Sequence, residues 1–331
     1  MNFAHYVREI ARGNTLLSDE AEKFYSAILD GGVPDLELGA TLLALRMRGE
    51  SAGELDGFLT AVEARACPLA RPEREIRPVV LPSYNGARKS ANLTPLLALL
   101  LRRFGVPTLV HGLLESFGRV TSAHVFRELD IMPVSNAGDA QRQIDQQGLA
   151  FVPLPALAPG LASQLSLRAR LGVRSCAHSL AKLFDPFRGE GILLAQATHP
   201  AFLEHMRNIL MTRERRAILF RGTEGEPYAN PLRRPALELI RDGGCRILFE
   251  AEHESIKSLP YLPESTDART TAQWMRQVLE DNLPLPLPLA HQLACCLYAS
   301  GVARDVNEAK ALVAVEIKAS LASGRESNKP K

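Results

Sequence analysis

Residues 82–105, PSYNGARKSANLTPLLALLLRRFG, decide the reading of this chain. They follow a short apolar run, Val79-Val80-Leu81, that reads as a strand, and they end in a well-punctuated helix. Thr94 stands where a helix cap is needed, Pro95 suits the first turn, and Gly105 suits a left-handed stop. Strand, loop and helix start in this order make an anion site, because unpaired backbone N–H groups and the helix dipole point at the loop. The loop holds two long cations, Arg88 and Lys89, but a single glycine, Gly86. A loop that wraps a diphosphate needs several glycines so that the backbone can approach closely. One glycine with two cations reads instead as a grip on the phosphates of a larger anion.

Outward from this segment the pattern alternates. VVLP (79–82), TLVHG (108–112), LAFVP (149–153), AILFRG (217–222) and CRILFE (245–250) read as strands. Helices are expected near 95–104, 121–129, 199–211 and 267–280, and one more after the prolines of LPLPLPLAHQLACCLYASG (283–301). Such alternation predicts an α/β domain with a mostly parallel central sheet. The first seventy residues read as helices alone: 19–29 with Ser18 as cap, 36–47 stopping at Gly49, and a capping box at Ser51-Ala52-Gly53-Glu54 opening a helix to about Ala66. Pro68–Pro78 reads as a linker, and SGRESNKPK (323–331) as a disordered tail.

With 331 residues, 46% hydrophobic and 23% charged, the chain is long enough for one large or two modest domains. Its net charge of +2 does not by itself indicate a polyanion partner, so the distribution matters more. From Arg168 to Arg234 twelve Lys/Arg stand against six Asp/Glu, a local excess of six. Five cysteines without a metal-type spacing fit a reducing compartment. The N-terminus lacks an apolar signal core, and no run reaches the roughly 20 apolar residues of a membrane span. A soluble, cytoplasmic protein without membrane contact is expected.

GGVPDLELGATLLALRMRGES (31–51) resembles the helical start of anthranilate phosphoribosyltransferase. The resemblance continues through Asn92–Thr94, His111-Gly112, TSAHVFREL (121–129), RARLGVRS (168–175) and GTEG (222–225), covering roughly residues 1–250. PSYNGARK, VHGLLES and GTEGEPYANP are more specifically similar to the YbiB-type, nucleic-acid-binding branch of that family. The resemblance implies a helical domain over 1–72, joined in space by about 164–184. It implies an α/β domain over 73–163 and 185–322 of the phosphoribosyltransferase/nucleoside phosphorylase type.

Set beside the resembled enzyme, the site departs in three places. The enzyme's glycine-rich diphosphate loop is Tyr84-Asn85-Gly86-Ala87-Arg88, although Asn92 and the Thr94 hydroxyl persist. The enzyme's Lys-His-Gly-Asn-Arg becomes Val110-His111-Gly112-Leu113-Leu114, which keeps only His111 as a residual substrate group. Its magnesium-binding Asp-Glu pair becomes Pro227-Tyr228, neither a useful Mg²⁺ ligand, with Glu224 and Glu226 nearby as the only material for a shifted metal site. Without a metal nothing neutralises the leaving diphosphate. No cofactor, no metal and no catalytic residue is therefore expected.

Arg168 matches the arginine that in the enzyme meets the carboxylate of anthranilate, yet Arg168, Arg170 and Arg174 also form a row of cations, followed by Lys182. Arg213, Arg215, Arg216 and Arg221 add further phosphate-binding candidates, and Tyr84, Phe117 and Tyr228 are aromatics for base stacking. Two functions fit. The first is non-catalytic, largely sequence-independent binding of nucleic acid, DNA or RNA and single strands included, by a homodimer joined through its N-terminal helices. The second is a divergent phosphoribosyl or glycosyl transferase acting on a small aromatic or heterocyclic acceptor.

Overall fold

The computed structural model describes residues 2–116, 118–263 and 265–317. Seven strands form one sheet among the described residues: β1 (Val79–Ser83), β2 (Thr108–Gly112), β3 (Leu149–Pro153), β4 (Ile192–Ala197), β5 (Ala217–Arg221), β6 (Leu237–Arg241) and β7 (Gly244–Phe249). Their order is β3-β2-β1-β4-β5-β6-β7; the first five are parallel, β6 runs antiparallel to β5, and β7 antiparallel to β6. The strands expected at 79, 108, 149, 217 and 245 are all present. The sequence reading missed β4 and β6. Ile192–Ala195 is a short apolar run flanked by helices, which periodicity alone cannot assign.

Four helices open the chain: α1 (Phe3–Ala11), α2 (Ser18–Leu29), α3 (Asp35–Arg48) and α4 (Ala52–Arg65). The Ser51–Glu54 capping box forms as predicted: Ser51 Oγ accepts from Glu54 N–H at 3.2 Å, and Ser51 N–H donates to Glu54 Oε2 at 2.8 Å. Ser18 does not cap; it is the first residue of α2, and its hydroxyl donates to Asp56 Oδ2 at 2.8 Å, tying α2 to α4. Tyr25 of α2 and Phe58 of α4 stack at 4.6 Å between centroids in the middle of this pair.

The sheet is wrapped by α5 (Thr94–Arg103), α6 (Ser122–Glu128) and α7 (Ala137–Gln147). After β3 come four short helices, α8 (Leu154–Leu157), α9 (Pro159–Ser166), α10 (Arg168–Leu171) and α11 (Ala177–Leu183). Of these, α9 and α11 pack against α4, and α9 also meets α2; Cys176 Sγ donates to Tyr25 Oη at 3.8 Å. The chain then returns to the sheet with α12 (Pro200–Thr212), α13 (Ala268–Leu279), α14 (Leu287–Ser300) and α15 (Val306–Glu316). Among the described residues no helix is long and apolar enough to cross a membrane.

Period-two alternation divides the core. Val80, Leu109, Ala150, Leu193 and Leu219 face the helical lobe, α7 and α12. Val79, Leu81, Val110, Phe151, Leu194 and Phe220 face α5, α6, α13 and α14. The chain runs from β1 outward to β3, then restarts beside β1 with β4, so the strand order reverses between β1 and β4. In open α/β sheets that switch point marks the ligand crevice, at the carboxyl ends of the strands. Gly112 ends β2 there; a Cβ at this position would stand 1.9 Å from Ser83 O.

Candidate functional site

The loop after β1 closes around two carboxylates that belong to the chain itself. Glu226 is fully buried, and its Oε1 accepts the N–H groups of Asn85 at 2.7 Å and Gly86 at 2.8 Å. Its Oε2 accepts from the hydroxyls of Ser83 and, at 3.3 Å, Thr94. Glu224 accepts three further N–H groups of the loop, those of Arg88 at 3.1 Å, Lys89 at 2.8 Å and Ser90 at 2.9 Å. Five backbone donors of the kind that cradle phosphate are thus saturated by side chains reaching across from the loop after β5.

The turn that delivers them is tight. Glu224 holds φ +51° and Gly225 φ +85°. A left-handed non-glycine residue costs about 1 kcal/mol, offset here by the three N–H bonds of Glu224. A Cβ on Gly225 would collide with Asn85 Nδ2 at 1.6 Å.

This donor set fits a carboxylate and repels a cation. N–H and O–H hydrogens surround both glutamates, leaving no array of lone pairs for Mg²⁺, which demands oxygen ligands in octahedral order. Among the described residues no group of three or more His, Cys, Asp or Glu side chains could hold a metal ion. The Glu224 and Glu226 oxygens that a shifted metal site would use already accept N–H groups of the loop after β1. Burial pushes the Glu226 carboxyl up, against its donors and Lys182.

Asn92 and Thr94 lie in the same buried knot. Asn92 Oδ1 accepts from Thr94 N–H at 3.2 Å, and its Nδ2 donates to Val120 O and Ser122 Oγ, each at 3.3 Å. Thr94 is the first residue of α5 rather than its cap; its N–H goes to Asn92, just ahead of the Leu93 cap position, and its hydroxyl turns to Glu226. Both residues are buried and spend these hydrogen bonds within the protein.

The two tyrosines proposed for stacking are also corrected. Tyr84 is 3% exposed and shares a hydrogen bond with His111 Nδ1. Tyr228 is fully buried, and its hydroxyl donates to Ala91 O at 2.8 Å. Their loops touch solvent, but each ring fills the core because its hydroxyl finds a buried partner. Phe117 lies outside the described residues, as does the tail at 323–331. His111 is fully buried between Tyr84 and Phe184, and burial pushes its pKa down to about 3, so the ring is neutral.

The basic residues separate into two sets at opposite ends of the sheet. Arg213, Arg215 and Arg216 precede β5, hence lie at the amino ends of the strands. Arg213 contacts Asp56 at 2.6 Å and Glu63 at 2.6 Å, and Arg215 meets Glu63 at 2.8 Å. Arg216 pairs with Asp242 at 3.2 Å. The first two clamp α4 onto the α/β lobe and cannot join the crevice; this corrects their assignment as phosphate contacts. Glu63→Ala should cost about 2 kcal/mol, below the 3–5 kcal/mol of a fully buried pair because solvent still reaches it, read as a lower urea midpoint with unchanged slope.

Arg88 and Lys89 follow β1 and Arg221 ends β5, so these three lie at the carboxyl ends. The Arg88, Lys89 and Arg221 side chains are exposed and make no ion pair among the described residues. Arg174 donates to Asn85 Oδ1 at 3.0 Å, and burial, then Arg168, Arg119 and Arg46, push its pKa down, so these arginines share one field. Arg170 points away to Asp35 at 3.1 Å. The sequence reading missed Arg119, which the pairing of Ala87 with Val120 draws to the loop, 4.0 Å from Glu224.

Comparison with known proteins fits this architecture. Residues 4–66 match the helical bundle domain of the glycosyl transferase family. The chain is 42% identical over 318 residues to the uncharacterized protein YbiB of Escherichia coli K12, covering 95% of this chain and 99% of that one. It is 27% identical over 334 residues to anthranilate phosphoribosyltransferase of Thermomicrobium roseum, covering 97% and 89% of the two chains. Among solved structures, anthranilate phosphoribosyltransferase of Thermus thermophilus superposes with TM-score 0.76 at 23% identity, over 94% of each chain. The Saccharomyces cerevisiae enzyme in complex with PRPP and Mg superposes with TM-score 0.73 at 13% identity, over 95% of this chain and 93% of that one.

Proposed function

This chain belongs to the YbiB-type, anthranilate phosphoribosyltransferase-like family, and on that premise we propose that it is a non-catalytic, sequence-independent nucleic-acid-binding protein. One observation carries the reading. The N–H nest at the switch point is filled by Glu224 and Glu226, while Arg88, Lys89 and Arg221 stand in solvent around it without acidic partners among the described residues. A small diphosphate finds its donors taken; a polyanion lying across the rim finds cations. Arg168 and Arg174 extend the same positive field. Phosphate contacts of this kind carry affinity but no base information.

The test is anisotropy titration of single- and double-stranded DNA and RNA at two salt concentrations. Binding should be insensitive to sequence and should weaken steeply with salt. Calorimetry with phosphoribosyl diphosphate and Mg²⁺ should register no heat at micromolar ligand; metal-dependent binding there would revive the transferase reading.

The active form is a homodimer. Leu36, Leu43 and Met47 are 82%, 46% and 81% exposed and recur along one stripe of α3, a surface that a second copy of the chain would cover. Leu43→Glu with Met47→Glu should give monomers by light scattering. Those monomers should hold long strands more weakly than the dimer does, because two linked sites raise effective concentration.

A further inference from the structure

The crevice opens into a cavity of about 310 Å³ lined from α3, α11 and the start of α12. Its wall brings together Arg46, Arg174 and Lys182 with one carboxylate, Glu50. Three cations against one carboxylate leave a net charge of +2. None of the three cations is ion-paired among the described residues. Lys182, 8% exposed, donates to Gln196 Oε1 at 3.3 Å, and Arg174 donates to Asn85 Oδ1 at 3.0 Å. The Arg46 guanidinium stands 5.9 Å from the Phe202 ring centre. Each of these contacts is with a neutral group.

Like charges gathered in this way repel, and the chain tolerates the cost. Burial, then Arg174, bring the Lys182 pKa down to about 8, with Glu226 opposing. A bound anion would relieve that repulsion. The Phe202 ring under Arg46 also meets the His199 ring edge-on at 6.3 Å and 79°. Cations gathered beside an aromatic ring match a phosphate joined to a base. The volume lies at the small end of ligand pockets, about 300 to 1,000 Å³, room for one nucleotide. A phosphate monoester carries about −2 at neutral pH and balances the wall, whereas an internal phosphodiester does not.

We propose that this cavity takes a nucleoside monophosphate group, either a free mononucleotide or the phosphorylated end of a strand. The second source rests on the nucleic-acid reading above; the first does not. Calorimetry of the full chain with AMP, adenosine and inorganic phosphate addresses the cavity. Anisotropy with one oligonucleotide bearing a 5′-phosphate, a 3′-phosphate or only hydroxyl ends addresses the strand. AMP should bind and adenosine should not, and one phosphorylated end should tighten binding by about tenfold, the scale of a charge-assisted contact. Lys182→Met should weaken AMP and bring the ratio between phosphorylated and hydroxyl ends to one. Equal affinity for all three oligonucleotides together with no AMP binding would overturn the cavity while leaving strand binding intact. AMP binding with no oligonucleotide binding would keep the cavity and remove the nucleic-acid reading. Unchanged AMP affinity in folded Lys182→Met and Arg174→Ala would place the nucleotide elsewhere and overturn the assignment.

Discussion

Glu226→Ala should destabilise the folded chain by about 3–5 kcal/mol, the range for removing one partner from a buried charged network. The side chain is fully buried and receives two N–H and two O–H donors. Truncation leaves the Asn85 and Gly86 N–H groups without acceptors, each worth about 1–3 kcal/mol when stranded, and removes the carboxylate that faces Lys182. The thermal midpoint should fall on the order of 10 °C for an effect of this size. Glu226→Gln keeps the shape and an acceptor for the two N–H groups, so its cost should be about 1 kcal/mol.

The two variants also separate charge from shape through pH. Burial raises the folded-state pKa of Glu226 above its ordinary value of 4.5. The folded state therefore binds this proton more tightly than the unfolded state. The associated stability is fully present below pH 4.5 and is lost as pH rises through the raised folded value. A glutamine in its place cannot titrate, so the advantage of wild type over Glu226→Gln should shrink with rising pH in urea titrations from about pH 4 to 8. An advantage that grew instead would mean that the donors outweigh burial.

How much of this was legible in the sequence depends on whether a residue's neighbours lie along the chain or across it. Thr108–Gly112 and Leu149–Pro153 were readable to the residue because apolar runs there are bounded by glycine and proline. The capping box at Ser51 is local and was equally plain. The Glu226 plug was not, because its donors lie more than 130 positions away and a carboxylate looks the same in sequence whether it faces a metal or a row of N–H groups. Tyr84 and Tyr228 were misplaced for the same reason: a loop tyrosine is core or surface according to whether a distant acceptor exists. One signal was available and unused. Arg213, Arg215 and Arg216 precede a predicted strand, which assigns them to the end of a parallel sheet away from the crevice.

That division of the arginines supplies the test of the binding surface. Replacing Arg88, Lys89 and Arg221 with alanine together should weaken single-strand binding on the order of 100-fold at low salt, taking each phosphate contact as about 1 kcal/mol net. The loss should be similar for every sequence. The slope of log K against log salt should become shallower by about 2, at roughly 0.7 per phosphate released. Wild-type and variant curves should converge as salt rises, because the missing contacts are those that salt already screens. Arg213→Ala with Arg215→Ala is the matching control at equal formal charge change per residue. These side chains are held by Glu63 and Asp56 at the far end of five-residue β5, about 17 Å away at about 3.3 Å per residue. Their loss should lower stability and leave the slope within error of wild type. A control slope that moves as far as the triple variant's would mean the polyanion answers to total charge, not to the crevice, and the surface drawn around Arg88, Lys89 and Arg221 would have to be abandoned.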